Sequence, residues 1–259
     1  MRNLQERLKG NLFLSSMMGH TDGSFCAERG EGCALVQIGA YLAEPPAYGR
    51  SRYILPSSHE ACVDFFRSEI SKIKRSLDAA VCVNLATLKL EWGLETAESF
   101  GLAGGEIFEL NVHGAYKPYL EKGKLRAMVL PENREELFKW LKEFSKIDIS
   151  FLVKFRLGVI EDYTPILDFI SQLDIFGVHF NIRDEKTRRP DFEFVKWFKD
   201  EYEKIFLLVS GYVRSSKDAE KLFNLGADMV GIAEPVLADP HYMKKLYDSL
   251  KLKMKIKKS

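Results

Sequence analysis

Apolar residues in this chain come in short β-branched and aromatic runs, and most runs are followed by a stretch where they recur every third or fourth position. The runs are "LFLSSMMG" from Leu12, "CALVQIG" from Cys33, "AAVCVNLA" from Ala79, "IFELNVH" from Ile107, "SFLVKFRLG" from Ser150, "GVHFNI" from Gly177, "IFLLVSG" from Ile205 and "MVGIAE" from Met229. Runs of this length and composition predict strands. Helical spacing predicts helices over residues 57–77 and in "LKLEWGLETAESFG", "ENREELFKWLKEFSK", "YTPILDFISQL", "FEFVKWFKDEYEK", "SSKDAEKLFNLG" and "DPHYMKKLYDSL". Ser57 or Ser58 would cap the first of these. Near-continuously apolar strands are expected where helices cover a parallel sheet. Eight alternations without a change of composition predict a single α/β domain, a (β/α)8 TIM barrel over residues 1–250. A doubly wound sheet competes with it, but no strand leads into the G-x-G-x-x-G turn of that fold.

Composition narrows the class further. The 259 residues are 46% hydrophobic and 29% charged, which suits a globular protein with a sizeable core. A formal net charge of +1 gives the body no general attraction to nucleic acid or membrane. No apolar run approaches the roughly 20 residues that span a bilayer, and no secretory leader is expected. Cys26, Cys33, Cys62 and Cys82 form no CxxC pair or zinc-like spacing. They read as buried free thiols in a reducing cytoplasm, and no metal site is expected. Residues 251–259 carry five lysines and read as a solvated basic tail, a polyanion contact being the alternative. The longest connection, "AYLAEPPAYGRSRYILP", holds a proline pair and a glycine and reads as a loop at the functional end of the barrel.

Reactive groups of such barrels sit at the carboxyl ends of the strands. Here those ends carry Met17, Met18, Gly19 and His20; Gln37; Asn84; Asn111 and His113; Lys154 and Arg156; His179, Asn181 and Arg183; Ser210 and Gly211; Gly231 and Glu234. Polar ends on apolar strands predict a ligand site. Lys154, embedded in "FLVKFRLG", must meet an anion or lose its proton if it points into the barrel mouth. His179 follows the same logic on the next strand. A lysine beside a histidine suits a ligand with anionic or electron-accepting atoms. Small residues before the helices "SSKDAEKL" and "DPHYMKKL" suit a phosphate cradle.

Taken in order, these motifs resemble the flavin-dependent tRNA-dihydrouridine synthases, and more distantly dihydroorotate dehydrogenase. "SSMMGHTDGSF" resembles that family's P-M-A-G-V-T-D opening, "VCVNLA" its third-strand segment, and "FELNVHGAYKP" its I-D-L-N-M-G-C-P segment. "VKFRLG" is similar to V-K-x-R-x-G, "VHFNIR" to H-G-R-T-R, and "VSGYVRSSKDAEKLFNLGADMVGIAEPVL" to the phosphate-binding close. The resemblance implies an FMN site formed by Met17, Asn84, Asn111, Lys154, His179, Ser210, Gly211, Gly231, Ile232 and Ala233. It implies hydride transfer to or from a C=C bond of a pyrimidine-like or other small ring, with NAD(P)H as electron donor and a small molecule, nucleoside or tRNA as substrate.

The sequence departs from that family at three places. Gly114, or Ala115 on a one-residue slip, stands where the family carries its acid cysteine, which leaves His113 or Tyr116 to deliver a proton. Glu234 replaces an arginine of the phosphate-binding close, where a carboxylate would repel phosphate. No helical tRNA-gripping domain follows the barrel in this sequence. The expectation is an FMN-dependent oxidoreductase with His113 and Lys154 as its catalytic residues. A genuine tRNA-modifying enzyme and a non-flavin barrel for a phosphorylated metabolite are the alternatives.

Overall fold

The computed structural model describes residues 1–43 and 53–256, with side chains as far as residue 252. Eight parallel strands close into a barrel: β1 Asn11–Leu14, β2 Leu35–Ala43, β3 Ala80–Thr87, β4 Ile107–Val112, β5 Ser150–Arg156, β6 Gly177–Asn181, β7 Leu207–Ser210 and β8 Met229–Ile232. Ring closure pairs β1 with β8, from Asn11 against Met229 to Leu14 against Ile232. This is the (β/α)8 barrel that the alternation of runs predicts.

The seven predicted helices are present at His59–Lys74, Leu90–Leu102, Arg134–Phe144, Thr164–Ile170, Phe192–Glu201, Ser216–Asn224 and Tyr242–Ile256. Ser58 caps the first by accepting from the Ala61 N–H. Among the described residues four α-helices escape the sequence reading, two of them the four-residue Lys117–Leu120 and Pro235–Ala238. Gly23–Arg29 is a seven-residue first crossover capped by Asp22, and Arg2–Leu8 closes the amino-terminal end of the barrel. The last helix continues through Ile256, so the boundary placed at residue 250 is not a structural one. Residues 257–259 of the lysine tail, and residues 44–52 of the long connection, lie outside the described residues. Among the described residues no helix is long and apolar enough to cross a membrane.

Each strand divides its side chains by period two. Val81, Val83, Phe108, Leu110, Phe151, Val153, Phe155, Val178, Phe180 and Val209 point outward into the core shared with the helices. The alternate positions point into the barrel. Its lower interior is apolar, built from Phe13, Leu35, Ala80, Ile107, Leu152, Leu208 and Met229 and sealed by Leu8 of the first helix. One pleat higher, the inward positions turn polar with Gln37, Glu109, Lys154 and His179, all buried. Asn84 stands in register with Glu109, and a further pleat up the inward positions are Asn111, Arg156, Asn181 and Ser210. Phe13 divides the two zones, its ring meeting the edge of His179 at 5.1 Å. Gly231 makes room for that ring, since a Cβ there would stand 2.3 Å from it. All four cysteines are buried free thiols, as expected.

Candidate functional site

Glu109 is the centre of the polar zone, and nothing in the sequence reading singled it out. It projects from mid-β4 and is completely buried. Its Oε2 accepts from Gln37 Nε2 at 2.8 Å and lies 2.7 Å from His179 Nδ1, while Oε1 accepts from Asn84 Nδ2 at 2.5 Å. Lys154 Nζ stands 4.0 Å from Oε1 and donates to Ser15 Oγ at 3.2 Å and Ser16 Oγ at 3.4 Å. A carboxylate with this many donors is stable as the anion even without water.

The protonation states follow from these contacts. Burial opposes the charge on Glu109, but the fields of His179 and Lys154 and the hydrogen bonds from His179 and Asn84 outweigh it and hold its pKa at about 2. Burial, and then the Lys154 ammonium, bring His179 down to about 4 against the pull of Glu109. The imidazole is therefore neutral at pH 7, and the ion pair proper is Glu109 with Lys154. Burial lowers Lys154 as well, partly offset by Glu109. Because the carboxylate must receive a proton from Nδ1, the other ring nitrogen of His179 is an acceptor, and it lies 2.8 Å from Ser210 Oγ.

Above this layer, at the carboxyl ends of the strands, opens a cavity of about 320 Å³. Of the residues expected at the site, Met17, Asn111, His113, Lys154, Ser210, Gly211, Gly231 and Ala233 line it. Three do not. Asn84 and His179 lie beneath the floor with no exposed surface, holding Glu109 rather than facing a ligand. Ile232 turns its side chain into the outer core, because it sits on the opposite phase of β8 from Gly231. Asn111 donates to Asn84 Oδ1 and accepts from the His113 and Gly114 N–H groups, so it shapes the turn after β4 as well as the cavity wall. The Nε2 of His113 is buried without a partner. Burial, followed by the charges of Lys154, His179, Arg156 and Arg183, keeps that ring well below its ordinary pKa.

At the rim the sequence reading named Arg183 but passed over Tyr212 and Arg214. Arg183, Tyr212 and Arg214 line the mouth, and the guanidinium groups of Arg183, Arg188 and Arg214 stand 5.8, 5.2 and 5.6 Å from the Tyr212 ring. Glu234 is an exposed partner of Arg214 at 2.7 Å, so its charge is met by a cation rather than set against a bound anion. At the start of helix Ser216–Asn224, Ser215 Oγ accepts from the Asp218 N–H and donates to Asp218 Oδ2.

Comparison with known proteins adds one relative. The chain is 23% identical over 243 residues to an uncharacterized protein of Methanocaldococcus jannaschii, covering 89% of this chain and 91% of that one. No family model matches.

Proposed function

We propose that this barrel is an FMN-dependent oxidoreductase related to the tRNA-dihydrouridine synthases and more distantly to dihydroorotate dehydrogenase. The observation that carries the reading is Lys154, a buried ammonium on the floor of an open cavity, held by two hydroxyls and a carboxylate 4.0 Å away. A barrel with no anionic or electron-rich ligand gains little from a cation in that place. The donor set fits FMN: Lys154 would hold negative charge on the ring, and Arg183 and Arg214 at the rim would suit its phosphate. Leu42, Leu125, Met17 and Tyr212 supply apolar walls for a planar ring.

When bound, FMN supplies hydride transfer to or from a C=C bond of a pyrimidine-like or other small ring, with NAD(P)H as electron donor. The chain's own contribution is charge and orientation. Lys154 would stabilise negative charge on the bound ring, with the Glu109 network fixing the ammonium's position. Of the two candidate acids, His113 is kept neutral at pH 7 by its burial and so carries no imidazolium proton to give. That leaves Tyr116, exposed at the cavity edge, as the better donor. A small molecule or nucleoside suits the cavity as substrate; tRNA would have to present one base at the arginine rim.

A smaller phosphorylated metabolite is the second reading. It is favoured by the cavity volume, about 320 Å³, which is at the low end of the roughly 300–1,000 Å³ usual for small-molecule sites. Titration with FMN followed by flavin fluorescence decides between the two. Saturable quenching supports the flavin; no quenching, together with a phosphorylated metabolite that raises the melting temperature, supports the alternative.

A further inference from the structure

Glu109, His179 and Ser210 form an unbroken line from the barrel interior to the cavity. Glu109 Oε2 is 2.7 Å from His179 Nδ1, and His179 Nε2 is 2.8 Å from Ser210 Oγ. The direction of each bond is forced. The carboxylate can only accept, so Nδ1 carries the imidazole proton, Nε2 accepts, and the Ser210 hydroxyl donates inward. Ser210 Oγ therefore offers its lone pairs to the cavity it lines, while the Lys154 ammonium lines the same cavity as a cation.

We propose that this floor takes a proton from its ligand: Ser210 accepts it while passing its own hydroxyl proton to His179, and Lys154 holds the anion that remains. In this step the ligand's X–H bond breaks and its electron pair stays on X. A new O–H bond forms at Ser210, and the former hydroxyl proton forms an N–H bond at His179 Nε2. The products are two ion pairs, imidazolium with Glu109 and ligand anion with Lys154, so no net charge is created. The arrangement has the logic of a carboxylate–imidazole–hydroxyl triad, used here for proton removal rather than covalent attack.

The groups around His179 support this polarity. Glu109 on β4 stabilises the imidazolium that forms, and Lys154 on β5 opposes it until the ligand's negative charge offsets the ammonium. Phe13 on β1 presents only its ring edge contact, and Ser210 on β7 is the remaining polar neighbour. Gln37 and Asn84 hold the carboxylate in place. The ligand class is a small planar molecule with a weakly acidic N–H or O–H, such as an imide, an enol or a phenol. The inference goes beyond the flavin reading and does not need it.

4-Nitrophenol tests it, since its anion absorbs visible light and its neutral form does not. The protein is titrated with the probe at a pH well below the probe's own pKa. The expected result is saturable binding with about tenfold more phenolate in the bound than in the free probe, one unit of pKa. Ser210→Ala and Lys154→Met should each bind the probe, if at all, as the neutral phenol, and Ser210→Thr should restore the phenolate signal. Thermal melts of each variant establish that it is folded. Absence of binding, neutral probe on the wild-type protein, or phenolate undiminished in Ser210→Ala would overturn the proposal. Displacement of the bound probe by added FMN reports separately on the flavin reading.

Discussion

Lys154 and Glu109 stand on neighbouring strands with Nζ and Oε1 4.0 Å apart, and neither side chain has more than 5% of its surface exposed. Their pairing fixes the charge on the cavity floor, and the rest of the site is arranged about it.

Removing one partner strands the other. Glu109→Gln leaves a buried ammonium facing neutral groups and should lower stability by about 3 kcal/mol. Lys154→Met has the converse effect, and the double variant should recover part of the loss because neither charge is left alone. Urea denaturation of the four proteins measures the coupling; strict additivity of the two losses would contradict a direct pair.

Acid should weaken the fold through the same network. Glu109 at about 2 and His179 at about 4 both lie below their ordinary values of 4.5 and 6.5. Between the two values of each group the unfolded chain binds more protons, so stability falls as pH falls. For His179 the loss begins below pH 6.5 and is complete near pH 4; for Glu109 it runs from 4.5 down to about 2. Going from pH 7 to pH 4.5 should cost roughly 2 kcal/mol through His179. Denaturation at the two pH values checks this, and a His179→Gln variant should lose that part of the dependence.

Gly231 makes room for the Phe13 ring. A Cβ at Gly231 would lie 2.3 Å from the ring, so Gly231→Ala should destabilise the barrel by about 2 kcal/mol. Phe13→Leu combined with it should relieve most of that strain, which a melting comparison detects. An unchanged melting temperature in Gly231→Ala would show that the ring has room to move.

Arg214 and Glu234 form an exposed pair at the rim, 2.7 Å apart. Glu234→Gln frees the guanidinium and should raise affinity for FMN by no more than about fivefold, the range of an exposed ion pair. Riboflavin, which lacks the phosphate, should bind the variant and the wild type equally. Parallel titrations of the two flavins separate this effect from a general one.

Much of this was legible in the sequence. The eight apolar runs became eight strands, because runs that must be apolar on both faces are long enough to stand out. The helices Arg2–Leu8 and Gly23–Arg29 were not visible because each carries too few apolar residues to set a helical spacing, whereas the equally short Thr164–Ile170 carries Ile166, Leu167, Phe169 and Ile170. Lys154 stood out as a charge inside an apolar strand. The same argument applies to Glu109 in "IFELNVH", a charge inside an equally apolar strand. Period two was the missing signal: Glu109, Asn111 and His113, or Lys154 and Arg156, alternate with apolar residues and so share the barrel's inner face. What no spacing reveals is depth. His179 and Asn84 occupy inward positions like Lys154, yet their side chains are shorter and stay under the floor, whereas the lysine's long stem reaches Ser15 and Ser16 across the barrel.

The visible absorption spectrum of the protein as isolated, and again after incubation with FMN and removal of the excess, bears most directly on the proposed function. The account predicts a yellow protein with flavin bands in at least the reconstituted sample, and loss of those bands in Lys154→Met that still melts cooperatively. A folded wild-type protein that stays colourless after FMN is added would contradict it.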